Sequence, residues 1–115
     1  MNHPLVGMWK LVRIEREGEQ PTTDSGPAPT GVLVYTAEGW MSESLLLPAE
    51  GGGTRTVIYC GTYEIRGDQV IHQPLFHLDE SQVGQDLPRG FEVTEDGQSF
   101  VLIDGVGRLH WERVK

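Results

Sequence analysis

The stretch of sequence that decides the fold is RTVIYCGTYEIRGDQVIHQPLFHL, residues 55–78. Two runs rich in Val, Ile, Tyr and Phe flank Gly67-Asp68, a pair that favours a two-residue hairpin turn. No long segment of the chain carries the i, i+3, i+4, i+7 repeat of apolar residues that marks an amphipathic helix. The stretch therefore predicts two antiparallel strands, over residues 55–66 and 69–78, in an all-β chain.

The same succession of short apolar runs and turn signals continues along the rest of the 115 residues. Ala37-Glu38-Gly39, Asp96-Gly97 and Asp104-Gly105 are typical hairpin connections, and Pro88 predicts a bulge or an unpaired stretch. The pattern predicts six further strands, at residues 6–17, 31–36, 40–47, 85–94, 99–103 and 107–114. Eight strands in sequential hairpins, without crossover helices, predict one antiparallel up-and-down β-barrel domain over residues 1–115. The competing architecture is an open sandwich, which keeps the sheet edges that a barrel removes.

Composition narrows the classes of partner and the compartment. The formal net charge of −8 argues against nucleic acid and against anionic membranes, because both reward clustered Lys and Arg. The first residues do not resemble a signal peptide, and no apolar run is long enough for a membrane helix. With Cys60 as the lone cysteine, no internal disulfide can form, and we expect a cytoplasmic protein with a reduced thiol.

Strand alternation predicts which side chains face the barrel interior. In the first strand it groups Trp9, Leu11, Arg13 and Glu15 on one face, and it puts Val12 and Ile14 on the other, where they would form a dimer patch if exposed. Later in the chain, His72 and Arg89 fall on apolar faces, and Arg113 shares a face with Trp111, an arrangement suited to a cation–π contact. An unpaired charge inside a barrel is costly, so His72 and Arg89 each need a partner or a ligand.

The candidate catalytic residues are His72, Arg89 and Tyr63, with Tyr35 beside them. Together they offer a titratable ring, a permanent cation and hydroxyl donors, which suit a carboxylate, an enolate or a β-dicarbonyl oxygen. The alternative is a closed hydrogen-bond network that only stabilises the barrel. The predicted ligand-binding set is Tyr35, Met41, Glu43, Tyr59, Tyr63, His72, Arg89 and Phe91.

Arg13 and Glu15, together with Glu43 from the ligand-binding set, are expected at the barrel mouth, as acid–base groups or as a rim salt bridge. The four histidines lack metal-ligand spacing, so neither a metal nor a cofactor is expected. Alternation puts Cys60 on the outer face, away from any histidine that would activate it.

Gly7-Met8-Trp9 resembles the Gly-x-Trp signature that opens the first strand of lipocalins. The resemblance implies that Trp9 plugs the closed end of the barrel and that Arg113, from Trp111-Glu112-Arg113, packs across it.

Most of the chain resembles the bacterial lipocalin-like domain proteins more closely. The matching stretches are VYTAEGWMS (residues 34–42), YCGTYEI (59–65), VIH (70–72), VGQ (83–85) and Arg89. The resemblance implies a barrel that binds a small organic metabolite, either as a carrier or sensor or as a cofactor-free cyclase or isomerase of bacterial secondary, polyketide-type metabolism. A dimerising structural barrel is the third alternative, and the expected state is a monomer or a homodimer.

Overall fold

The computed structural model describes residues 3–15, 29–48, 52–104 and 107–115. Eight strands account for most of them, and a single 3₁₀ turn, Glu80–Gln82, lies between the fifth and the sixth. The strands are β1 (Gly7–Glu15), β2 (Thr30–Tyr35), β3 (Trp40–Pro48), β4 (Thr54–Arg66), β5 (Gln69–His77), β6 (Leu87–Val93), β7 (Ser99–Asp104) and β8 (Gly107–Arg113). The predicted strands are confirmed with small changes at their ends. The predicted continuation of the first strand through residues 16–17, most of the loop that follows it, and Gly105 lie outside the described residues.

The strands form a closed barrel in the order β1 to β8, and each pairs antiparallel with the next. Closure is made by β8 against β1, where Trp9 lies opposite Arg113 and Ile14 lies opposite Leu109. The up-and-down barrel is therefore confirmed over the open sandwich. No helix in the described part of the chain is long and apolar enough to cross a membrane.

A β-bulge in β1 changes which side chains point inward. The pairing with β8 shifts register between Leu11 and Arg13, and one extra residue reverses the alternation beyond it. Arg13 and Glu15 are consequently exposed, so their predicted place in the barrel interior is wrong. Ile14 packs against the core instead of joining Val12 on the outer face, so the predicted dimer patch loses half of its surface.

A second bulge lies where β4 meets β5. Cys60 pairs with Phe76 and Gly61 pairs with Pro74, which leaves Leu75 as the extra residue. Pro88 makes no such bulge, because it stays in register opposite Ile71. On its other side β6 pairs with β7 only from Gly90 to Val93, so Pro88 is unpaired there, as the second of the two expectations for this proline has it.

One end of the barrel is closed around Trp9, which is fully buried and donates through Nε1 to the Leu5 carbonyl at 2.9 Å. The guanidinium carbon of Arg113 lies 4.2 Å from the centre of the Trp9 ring. Arg113 also donates to the carbonyls of Pro4, Val6 and Gly97 at 2.7–2.8 Å, and so it joins the first residues of the chain to the turn before β7.

Gly7 makes this closure possible. Its φ is +143°, and a Cβ built on it would lie 2.3 Å from Nη1 of Arg113. Only a residue without a side chain fits beneath the guanidinium, which gives the Gly-x-Trp sequence a steric explanation.

Candidate functional site

A cavity of about 380 Å³ occupies the other half of the barrel. Its volume falls within the range of small-molecule sites. One part of its wall is apolar and is contributed by Ile14, Leu45, Leu47, Val57, Leu87 and Leu109. The polar part comes from strand residues and from the β5–β6 connection: Glu43, Arg55, Thr56, Tyr59, His77, Arg89 and Asp104 lie on strands, and Asp79 and Gln82 lie in the connection.

Behind the polar wall lies a chain of four buried side chains, which we call the buried relay: Tyr35, His72, Tyr59 and Glu43. Each comes from a different one of the adjacent strands β2 to β5. The Tyr35 hydroxyl lies 2.5 Å from Nε2 of His72, and the Tyr59 hydroxyl lies 2.7 Å from Nδ1 of the same ring. Tyr59 also donates to Oε1 of Glu43 at 2.6 Å. All four residues are at most 3% exposed, so bulk water has little access to these contacts.

The hydrogen bond to Glu43 fixes the direction of the whole relay. A phenol has one proton, and Tyr59 gives it to the carboxylate, so its oxygen accepts from Nδ1–H of His72. The other ring nitrogen of neutral His72 then accepts from the Tyr35 hydroxyl. This network assigns the His72 tautomer, and every donor in the relay points toward Glu43.

Burial shifts Glu43 and His72 toward their neutral forms. Burial raises the pKa of Glu43 to about 7, although the hydrogen bond from Tyr59 and the charge of Arg89 act in the opposite direction. Burial lowers the pKa of His72 to about 3, and nearby Arg89 lowers it further. Nδ1 of His72 lies 3.8 Å from Oε1 of Glu43, but the ring stays uncharged near neutral pH and no ion pair forms there.

Arg89 and Arg55 are the two arginines among the described residues that line this cavity, and Arg89 is the one beside Asp104. Its Nε lies 3.7 Å from Oδ2 of Asp104, and its Nη1 donates to the Pro88 carbonyl at 3.1 Å. Among the described residues, Nε of Arg89 and Nε1 of Trp111 are the two buried side-chain polar atoms without a hydrogen-bond partner. Arg89 therefore lines the cavity, and its Nε–H is a donor that forms no hydrogen bond with any described residue.

The structure divides the predicted ligand-binding residues into three groups. Glu43, Tyr59 and Arg89 line the cavity, and Tyr35 and His72 lie behind it in the buried relay. The other three are elsewhere: Met41 is buried in the core, Tyr63 donates to the Thr36 carbonyl, and the Phe91 ring meets the His3 ring edge-on.

Most of the cavity residues did not enter the predicted set, and two of them, His77 and Asp104, contact residues that did. His77 stacks on the Tyr59 ring at 4.8 Å with 9° between the planes, and Asp104 stands beside Arg89. Strict alternation from His72 would turn His77 outward, but the extra residue at Leu75 brings it back to the inner face. Pro74 was the available signal, because a residue without an amide hydrogen tends to mark a break in the ladder. Asp104 looked like a turn residue in the sequence.

The arrangement combines a buried carboxyl group whose pKa is about 7 with a guanidinium cation, in a pocket that also has an aliphatic wall. Such a pocket can bind an oxygen atom of a small molecule and can exchange a proton with it. Comparison with protein-family models and with curated proteins gives no match, so function is inferred from the geometry of this chain.

Proposed function

We propose that this barrel is lipocalin-like and binds a small, largely apolar organic molecule in its cavity, with an oxygen atom of that molecule held by Arg89. The observation that carries the proposal is the buried Nε of Arg89, which has no hydrogen-bond partner among the described residues and belongs to a side chain of the cavity wall. A donor in that position is costly unless a ligand or an ordered water accepts from it.

The rest of the cavity supports the same kind of ligand. Aliphatic side chains such as Leu45, Leu87 and Leu109 favour a hydrocarbon body, and the volume of about 380 Å³ fits a compact molecule. The oxygen function is a carbonyl, a carboxylate or an enolate, because each accepts charge-assisted hydrogen bonds from a guanidinium.

The proposal also covers the protein family and the cellular location. Gly7, Trp9 and Arg113 close one end of the barrel in the way that the lipocalin resemblance implies. With that resemblance we propose a bacterial, cytoplasmic protein that acts as a monomer or a homodimer on a small molecule and not on nucleic acid or membranes.

A second candidate is catalysis, as a cofactor-free cyclase or isomerase of bacterial secondary, polyketide-type metabolism. The observation that favours it over a carrier or sensor is the pairing of Glu43 with Arg89 in one cavity. A carrier needs the apolar wall and one polar anchor, whereas a buried carboxyl group with a pKa of about 7 is suited to acid–base chemistry.

Binding is tested with 2-tetralone, a bicyclic ketone, followed by saturation-transfer NMR on the purified chain. We expect Arg89→Met to weaken binding by roughly ten- to a hundredfold, since a hydrogen bond to a charged group contributes about 1.5–3 kcal/mol. Arg66→Met is the matched control, because the Arg66 side chain is 57% exposed and does not line the cavity. Equal affinity in wild type and Arg89→Met would remove Arg89 from the site, and native mass spectrometry of the same samples would reveal a retained metabolite.

A further inference from the structure

We propose that the cavity catalyses proton transfer at the carbon next to a neutral ketone, with Glu43 as the base and Arg89 holding the enolate oxygen. The proposal rests on the proposed binding function and adds to it a reaction, a class of substrate and a role for each side chain. In this proposal Glu43 replaces His72 as the group that handles the proton.

Glu43 is placed to act as a base because its two oxygens have different surroundings. Oε1 accepts the hydrogen bond from Tyr59, and within the described part of the chain Oε2 makes no hydrogen bond. The side chain lines the cavity, so Oε2 is the atom that a bound molecule would meet. A carboxylate with few solvating partners is a stronger base than one in water, and the raised pKa of about 7 matches the pH at which a cellular base works best.

His72 lacks the access that a base needs. Both of its ring nitrogens are engaged by tyrosine hydroxyls, and the ring is fully buried behind the cavity wall. His72, Tyr35 and Tyr59 are therefore positioning residues, which orient their hydrogen bonds toward Glu43 and hold its carboxylate in one rotamer.

The charges around the cavity favour a neutral ketone over a carboxylate. Three acidic side chains, Glu43, Asp79 and Asp104, line the cavity with two cationic ones, Arg55 and Arg89, so the acidic groups outnumber the cations. An anionic ligand that reached Arg89 would meet these like charges, whereas a ketone brings none. When the proton moves to Glu43, the negative charge moves to an oxygen beside Arg89, so the net charge of the cavity does not change.

The reaction needs no oxidant, reductant or cofactor. The bond between the α-carbon and its hydrogen breaks, the proton passes to Oε2 of Glu43, and the electron pair forms the carbon–carbon double bond of an enolate. The carbonyl π electrons move to the oxygen held by Arg89. Return of the proton to the same carbon restores the ketone, and return to the γ-carbon of a β,γ-unsaturated ketone gives the conjugated isomer.

The test is hydrogen–deuterium exchange at the α-carbons of 2-tetralone in heavy water, followed by proton NMR. We expect wild type to accelerate exchange over buffer and Glu43→Gln to lose that acceleration by roughly a hundredfold or more, as general-base catalysis contributes that much. Glu112→Gln is the matched control, since this side chain is 54% exposed on the outer surface, and it should exchange at the wild-type rate.

The dependence of exchange on pH identifies the base without relying on the folding of one variant. Glu43 is surrounded by Tyr35, Tyr59, His72, Arg89 and Asp104, and His77 and Asp79 line the same cavity. Burial raises the pKa of Glu43 to about 7, whereas it lowers the pKa of His72 and that of His77. Exchange catalysed by wild type should therefore rise with pH and level off above about 7. Tyr59→Phe removes the hydrogen bond that lowers the pKa of Glu43, so the midpoint should move to higher pH.

The outcomes separate this inference from the proposed binding function. If 2-tetralone binds in an Arg89-dependent way but exchanges equally fast with wild type, Glu43→Gln and buffer, the proton-transfer inference is overturned and the binding site stands. A wild-type midpoint that Tyr59→Phe leaves in place also overturns it. If 2-tetralone neither binds nor exchanges, both proposals are contradicted.

Discussion

Glu43→Gln is expected to stabilise the fold at neutral and alkaline pH, although it removes a hydrogen-bonded polar group from the centre of the barrel. Glutamine has nearly the same shape as glutamate, and its amide oxygen can still accept the hydrogen bond from Tyr59. What the substitution removes is the charge that burial penalises.

The size of the effect follows from the pKa of Glu43. Burial raises it from an ordinary value of 4.5 to about 7. Each pH unit of such a difference corresponds to about 1.4 kcal/mol, so the charged carboxylate costs the wild-type fold about 3 kcal/mol. The sign is set by proton binding: between these two pH values the folded chain binds the proton and the unfolded chain releases it. Wild type thus loses stability as pH rises toward 7, relative to Glu43→Gln.

The lowered pKa of His72 acts in the opposite sense, because folding excludes a proton that the unfolded chain binds below pH 6.5. Wild type and Glu43→Gln share this loss of stability on acidification, so it cancels in the difference between them. The difference in unfolding free energy should be smallest near the ordinary carboxyl pKa of 4.5, grow with pH, and level off above about 7.

Urea unfolding followed by tryptophan fluorescence, at pH values from about 5 to about 8, measures this difference directly. Glu112→Gln, on the exposed side chain that faces Lys10, should show no such dependence on pH. A difference between Glu43→Gln and wild type that stays constant over this range would refute the reasoning, because it would mean that Glu43 has an ordinary pKa in the folded chain.

Three further substitutions test how the barrel is held. Gly7→Ala should destabilise by about 2 kcal/mol or more, because its Cβ would meet Nη1 of Arg113 at a φ of +143° that only glycine adopts readily; urea unfolding reads this out. Arg113→Met should lose about 3 kcal/mol, since it breaks several hydrogen bonds to backbone carbonyls as well as the contact over Trp9, and an unchanged denaturation midpoint would show that the closed end holds without it. Gly61→Ala puts a Cβ 2.1 Å from the Gln73 carbonyl oxygen, so we expect little folded protein by circular dichroism.

The barrel was predictable because its turns are encoded locally. Gly67-Asp68 and Asp96-Gly97 fix the length and hand of their hairpins, and both glycines have positive φ. The bulges were not predictable, because a bulge adds one residue without a distinctive sequence. One residue inserted after Leu11 is enough to turn Arg13 and Glu15 outward and Ile14 inward.

The sequence predicted several residues of the site but did not predict how they are arranged around the cavity. Alternation identified His72 and Arg89, and a sequence pattern has no means of telling a side chain at the cavity wall from one directly behind it. In the structure Arg89 lines the cavity wall. His72 lies directly behind the wall, where its ring nitrogens form hydrogen bonds with Tyr35 and Tyr59. Tyr59 and His72 lie on the two strands of one hairpin, but Tyr35 is 37 residues from His72 and lies on β2, so the curved sheet is needed to bring these two side chains together.

A purely structural role is the alternative to a catalytic role for the buried relay. The hydrogen bonds at its two ends differ in which role they support. At the inner end, Tyr35 and His72 have satisfied partners, as a stabilising network requires. At the cavity end, Glu43 keeps an oxygen without a hydrogen bond within the described chain, and the neighbouring Arg89 keeps a donor without one. A network that served stability alone would be served as well by glutamine at position 43, without the cost of a buried charge. The glutamate at position 43 therefore supports the proposed proton transfer in the cavity.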